Sequence, residues 1–185
     1  MRSGSKQLLL IAGAIVLTAA LYFAPKVVRK DSVSDKSSDV FSFEALAAEA
    51  KGQLKRQEAE RINLVEAELA KEPSSISLND SLGKMWDRLK MPQISSHYYE
   101  QTAIKNPDEK SWINVAYRYY DAFKMTGDST LRKIFVEKAI SSYQKVLKIN
   151  PENLDAKTDL GLCYAEGTSS PMQGILLLRE VVAKN

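Results

Sequence analysis

The chain is poor in the residues that build chemical sites. It has one cysteine, Cys163, and one histidine, His97, in 185 residues. A disulfide needs two thiols and a Cys/His metal centre needs several ligands, so neither can form within one chain. His97 has no cysteine, serine–acid pair or second histidine near it in sequence, which favours a surface or interface role over a catalytic one. Cys163, beside Tyr164, reads as a small buried hydrophobe. Eight glycines and six prolines are few for this length, as helices require. The sequence contains no nucleophile elbow, glycine-rich phosphate loop, HExxH, EF-hand loop or CxxC pair. No cofactor or metal is expected, and no enzyme activity. The many carboxylates stand at salt-bridge spacings, the ordinary pattern of a solvated helix face.

Acidic residues are missing altogether from the first 30 positions. All 23 begin at Asp31, whereas Arg2, Lys6, Lys26, Arg29 and Lys30 precede it. The remainder carries 21 basic residues against those 23 acids, so the formal +3 belongs to the N-terminus and gives no argument for nucleic acid. Between the basic flanks, Leu8 to Ala24 is uncharged over 17 residues. As a helix it would be roughly 25 Å long, the short limit for a membrane span. Residues 1–30 are read as a single-pass membrane anchor with its flanks. A cleaved signal peptide is the rival: Thr18-Ala19-Ala20 offers small residues, but Pro25 is a poor context for cleavage. The short tail, and its order of charge then apolar run, keep the N-terminus cytoplasmic and send the rest to the extracytoplasmic side, the periplasm in a bacterium. Residues 31–40, containing DSVSDKSSD, read as a flexible linker.

From there on the apolar spacing is helical. Residues 41–73 read as one long lead helix, Phe41 to Glu72, with Leu46, Ala50, Leu54, Ile62, Val65 and Leu69 on one side and Pro73 at its end. It either caps the end of a helical stack or dimerises as a coiled coil. The heptads are few and Gly52 interrupts them, which favours the cap.

The rest of the sequence repeats itself. Leu82-Gly83-x-x-Trp86 returns as Leu160-Gly161-x-x-Tyr164, and Tyr99 precedes Pro107 by eight residues as Tyr143 precedes Pro151. Pro73 and Pro107 lie 34 residues apart. Leu82 and Trp86, four apart, share one helical face, and Gly83 and Gly161 would let a second helix approach closely. Three units follow: 74–107, 108–151 and 152–185. In the first, Ser74 or Ser75 caps the opening helix and Met91-Pro92 begins the second. In the second, Ala116 and Tyr117 occupy the Leu-Gly places and Tyr120 the aromatic one. Tyr120 lies 23 residues from Tyr143 where Trp86 lies 13 from Tyr99, so about ten residues are inserted near Lys124–Ile134. The turn is Thr126–Ser129, with Ser129 or Thr130 as the next cap. The cluster Trp112, Tyr117, Tyr119, Tyr120, Phe123 reads as core packing before a ligand cage. In the third, Gly174, Leu178 and Val181 fill small and large core places. The pattern would next call for proline at Asn185, as in a longer array or a stack completed by another chain.

These positions resemble the tetratricopeptide repeat (TPR), a 34-residue helix–turn–helix unit. The resemblance implies an all-α fold, with about three hairpins in a right-handed α-solenoid, and protein–protein interaction as its function. In that family the first helix of each hairpin lines the groove, which here singles out Asp80, Lys84 and Asp87; Asn114, Arg118 and Asp121; and Thr158, Leu162 and Ala165. Family members that grip a C-terminal carboxylate do so with Lys, Asn and Arg. Here Asp80, Asp155 and Asp159 stand among those positions, so that clamp is not reproduced. The expected partner is a protein or peptide read by mixed hydrogen bonds and apolar contact, with Asn114 and Arg118 at the centre. The alternatives are a homo-oligomeric structural subunit, joined through Phe41–Glu72 or the C-terminal end, and a periplasmic or secreted factor released by signal cleavage.

Overall fold

The computed structural model describes residues 42–184 and shows eight α-helices and no strand among them. In chain order these are α1 Phe43–Gly52, α2 Arg56–Lys71, α3 Ile76–Arg88, α4 Pro92–Lys105, α5 Glu109–Met125, α6 Ser129–Ile149, α7 Leu154–Gly167 and α8 Pro171–Lys184. The apolar segment Leu8–Ala24, the linker at 31–40 and Asn185 lie outside the described residues. Among the described residues no helix is long and apolar enough to cross a membrane.

Local chemistry sets the helix starts. Ser42, Ser75 and Asn153 cap α1, α3 and α7 with side-chain oxygens that accept a backbone N–H three residues on. Asp108 forms a reciprocal capping box with Ser111 at α5. At α6 the cap is Asp128, which accepts from the Leu131 N–H at 2.8 Å. Ser129 and Thr130 lie inside the helix, because a carboxylate beats a hydroxyl for the free first-turn amides. Between α3 and α4, Lys90 takes a left-handed φ of 60°. The Met91 N–H then reaches the Trp86 carbonyl at 3.1 Å and the Lys90 N–H the Asp87 carbonyl at 3.0 Å, closing the helix in a Schellman turn. Pro92 opens α4 at a position that needs no amide hydrogen.

From α2 onward each helix packs on the next, and α5 also touches α7. The hairpins α3–α4, α5–α6 and α7–α8 therefore stack in series as an α-solenoid. Leu82 and Trp86 of α3 are fully buried. A Cβ on Gly83 would sit 2.9 Å from the Tyr99 ring of α4. Gly161 of α7 faces Gly174 of α8, so close that a Cβ on Gly174 would fall on the Gly161 carbonyl oxygen.

Two sequence expectations are corrected. The lead segment is two helices, α1 and α2, broken at 53–55. Gly52 weakens the helix there, but packing decides the break: α1 lies on α4 and α2 on α3. Ala47 and Ala50 serve the first contact, and Phe43 stacks on His97 with ring centroids 3.6 Å apart. Ile62 serves the second. One straight helix could not meet both neighbours. The coiled-coil alternative goes with it, because the apolar stripe is consumed within the chain. The second correction concerns register. The buried face of α5 is Trp112, Val115, Ala116, Tyr119 and Phe123. Val115 and Ala116 thus take the Leu-Gly places and Tyr119 the aromatic one. Tyr117 turns outward, and Tyr120 is only half-buried. The inserted residues lengthen both helices, to 17 in α5 and 21 in α6, against 13 and 14 in α3 and α4. Arg132 closes that extension, donating to the Phe123 carbonyl at 3.0 Å and covering its ring.

Candidate functional site

The stripes of α3, α5 and α7 that face away from the core carry the site. On α3 Asp80, Lys84 and Asp87 recur at helical spacing; on α5 Lys110, Asn114, Tyr117 and Asp121; on α7 Asp155, Asp159, Leu162 and Glu166. A cleft of about 520 Å³ opens between α3 and α5, lined by Asp80, Lys84, Tyr99, Thr102, Asn114 and Tyr117 among others. Asp80 and Lys84 pair at 2.5 Å along their own helix. Asn114 lines the cleft, and its amide has no hydrogen-bond partner among the described residues.

Tyrosines of the second helices lie under these stripes. Tyr99 of α4 donates its hydroxyl to Asp87 Oδ2 at 3.1 Å. Arg118 of α5 grips the same carboxylate through Nε and Nη2, the shortest contact being 2.7 Å, with its guanidinium over the Tyr99 ring. Burial pushes Asp87 up, but hydrogen bonds from Arg118 and Tyr99 and the guanidinium charge outweigh it and hold the carboxyl below its usual range. Beyond this bridge a second cleft of about 510 Å³ contains Met91, Pro92, Asp121 and Met125. Burial, and then the Asp87 charge, raise Asp121 against the pull of Arg118.

Between α5 and α7 the floor is Tyr143 of α6. It donates to Asp159 Oδ2 at 3.2 Å and meets the Tyr117 ring edge-on at 6.1 Å. Burial and then Asp155 raise the Asp159 carboxyl, with Tyr143 opposing. Burial, Asp159 and Asp155 raise the Tyr117 phenol. At the far end Glu166 of α7 receives Lys124 at 2.6 Å and the Tyr120 hydroxyl at 3.3 Å.

The structure brings Asp80, Lys84 and Asn114 to one cleft and sets Asp87, Arg118 and Asp121 beside the next. Arg118 is not a free groove cation: its fork is occupied by Asp87. Thr158 is half-buried, and its hydroxyl donates to the Leu154 carbonyl of its own helix. Ala165 packs toward Gly174 of α8. On α7 Glu166 reaches Tyr120 and Lys124 of α5, and Asp159 meets Tyr143 of α6. The cleft also takes in Tyr117, Thr102 and Lys110, which the repeat pattern does not mark as groove residues. The helical spacing of Lys110, Asn114 and Tyr117 carries that signal in the sequence, and the mistaken register of Tyr117 hides it.

No protein-family model matches the sequence, and no curated protein matches it. Two crystal structures of MamA are similar to this chain. One has 15% identity and a TM-score of 0.27, covering 66% of this chain and 85% of that one. The other has 16% identity and a TM-score of 0.29, covering 66% and 80%.

Proposed function

We propose that this chain is a TPR-like interaction scaffold without enzyme activity. Its Leu8–Ala24 segment anchors it in a membrane, and its repeats, on the extracytoplasmic side, hold an extended segment of a protein partner in assembly of a larger complex. The observation that carries the reading is the cleft between α3 and α5. It is roomy, lined by Tyr99 and Asn114, and the Asn114 amide has no hydrogen-bond partner among the described residues. A side-chain amide can meet both the N–H and the C=O of a peptide backbone. A photocrosslinking residue at Asn114 tests this in membranes of the native host, with Ser141, exposed on α6, as the control. Discrete adducts from position 114 alone are expected. Equal labelling from both positions, or none from 114, refutes the groove. Protease added to intact spheroplasts should digest the repeats; protection until lysis would reverse the orientation.

One observation favours a homo-oligomer as the second reading. α8 exposes Met172, Ile175, Leu176 and Val182, while its charged Glu180 and Lys184 turn to Lys157 and Glu152 of the α7 side. Light scattering of wild type and a Leu176→Lys, Val182→Lys variant decides it. A mass that drops from a multiple to the monomer supports self-association, and a monomer in both excludes it.

A further inference from the structure

Five tyrosine hydroxyls donate to carboxylates of other helices among the described residues. Tyr98 donates to Glu66, Tyr99 to Asp87, Tyr119 to Glu100, Tyr120 to Glu166 and Tyr143 to Asp159. Four of those carboxylates also hold a cation: Lys51 on Glu66 at 2.5 Å, Arg118 on Asp87 at 2.7 Å, Lys138 on Glu100 at 2.8 Å and Lys124 on Glu166 at 2.6 Å. In three of the four the same cation also stands over the tyrosine ring. The fifth, Asp159, has no cation within ion-pair distance among the described residues. The neighbouring lysine of its helix, Lys157, is committed to Glu180 at 2.8 Å.

The omission is costly where it stands. Asp159 is half-buried, and among the described residues the only hydrogen bond to its side chain comes from fully buried Tyr143. A carboxylate so placed loses hydration that a cation would restore. Asp155 lies one turn earlier and adds a second negative charge, partly met by the α7 N-terminal amides. Tyr117 is 38% exposed and meets the ring of Tyr143, the residue that donates to Asp159, edge-on. A carboxylate beside an accessible aromatic face is the chemistry that receives an ammonium or a guanidinium.

We propose that the face between α5 and α7 receives a lysine or arginine side chain from an extended segment of a protein partner. Asp159 is the counter-charge, Asp155 supports it, and Tyr117 supplies the ring under the cation. The partner thus completes the unit that Arg118 completes from within one hairpin earlier. This rests on the reading that the groove holds such a segment, and adds that the segment is basic where it crosses α5 and α7.

The test uses full-length protein on immobilised heptapeptide pools. The pools have random flanks and a central residue fixed as arginine, lysine, citrulline or glutamate; citrulline keeps the shape of arginine without its charge. Wild type should be retained on the arginine and lysine pools about tenfold more than on citrulline, the effect of one charged hydrogen-bonded contact. Asp159→Asn keeps an acceptor for Tyr143 and should bring all pools to the citrulline level. Tyr117→Arg should do the same by supplying the cation internally. Asn114→Ala should weaken every pool while leaving the ratio. Equal retention on arginine and citrulline, or an unchanged ratio in Asp159→Asn, overturns the basic-residue proposal while the groove stands, provided Asn114→Ala still weakens retention. Retention on no pool, or retention indifferent to Asn114→Ala, overturns both.

Discussion

Gly174→Ala places one methyl group where α8 crosses α7 at close range. The new Cβ would meet the Gly161 carbonyl oxygen, the Ala165 backbone nitrogen at 2.8 Å and the Ala165 Cβ at 3.1 Å. Two of these atoms are backbone, which cannot rotate aside, so α8 must move off α7. The substitution gains about 1 kcal/mol of helix propensity. Overpacking of this kind typically costs about 1–3 kcal/mol, and with a backbone obstacle the upper part of that range applies. The net expectation is a loss of roughly 1–2 kcal/mol, or about 2–8 °C in melting temperature at 2–4 °C per kcal/mol. Gly52→Ala is the control. It has the same chemistry in a helix, and beyond its own turn of helix no atom of the described residues lies within 4 Å of the added Cβ. That variant should be neutral or gain up to about 1 kcal/mol. Thermal and urea unfolding of residues 41–185, followed by far-ultraviolet circular dichroism, measures both. If Gly174→Ala melts at or above the wild type, or if the two variants shift alike, the close approach of α7 and α8 is wrong.

Other perturbations probe other parts of the structure. Arg118→Met strands the half-buried Asp87 and should cost about 1–2 kcal/mol at neutral pH, discounted for partial exposure. Asp87 titrates lower folded than unfolded, so its contribution is present above the unfolded value near 3.9 and lost as pH falls through the folded one. The gap between variant and wild type should therefore shrink in urea titrations below about pH 4; a constant gap down to pH 2 would contradict the bridge. Lys90→Gly removes the left-handed strain of the α3–α4 turn and should raise stability by about 1 kcal/mol in the same assay. Cys163 is fully buried, and burial, then Asp159 and Glu166, push its thiol up to about 12. Iodoacetamide at pH 8 should label it only after unfolding, and rapid labelling of the native protein would show that α7 is misplaced.

What the sequence made legible was local. The 34-residue spacing, the Leu-Gly-x-x-aromatic places, Pro92 at a helix start and Gly83 against a partner helix are all properties of short windows or of their recurrence. What it hid depends on residues distant in sequence. The lead helix breaks because α1 and α2 answer to different neighbours, and no count of heptads reveals that. The register of α5 was misread because Tyr120 is as aromatic as Tyr119. Only the core says which of them faces inward, and Tyr119 does so with its hydroxyl on Glu100 at 2.6 Å. Arg118 looked like a ligand-binding cation because its partner, Asp87, is 31 residues away.

The polar ties between helices bear on where function resides. A stack of hairpins has only its nearest neighbours to hold each unit. Here four carboxylates among the described residues tie helices together by the same device, a tyrosine hydroxyl and a cation meeting on one side chain. Glu66 joins α1, α2 and α4; Asp87 joins α3, α4 and α5; Glu100 joins α4, α5 and α6. Such ties are worth little one by one at an exposed surface, but half-buried and shared among three helices they fix register. Sequences that specify one structure keep such rules consistently and depart from them where something other than stability is served. Asp159 is the departure. Its tyrosine is in place and buried, its helix is well capped, and adding a lysine at a neighbouring position would have been a small change. An unfastened carboxylate at that boundary lowers the stability of the free protein, and a partner that brings the cation recovers the difference as binding energy.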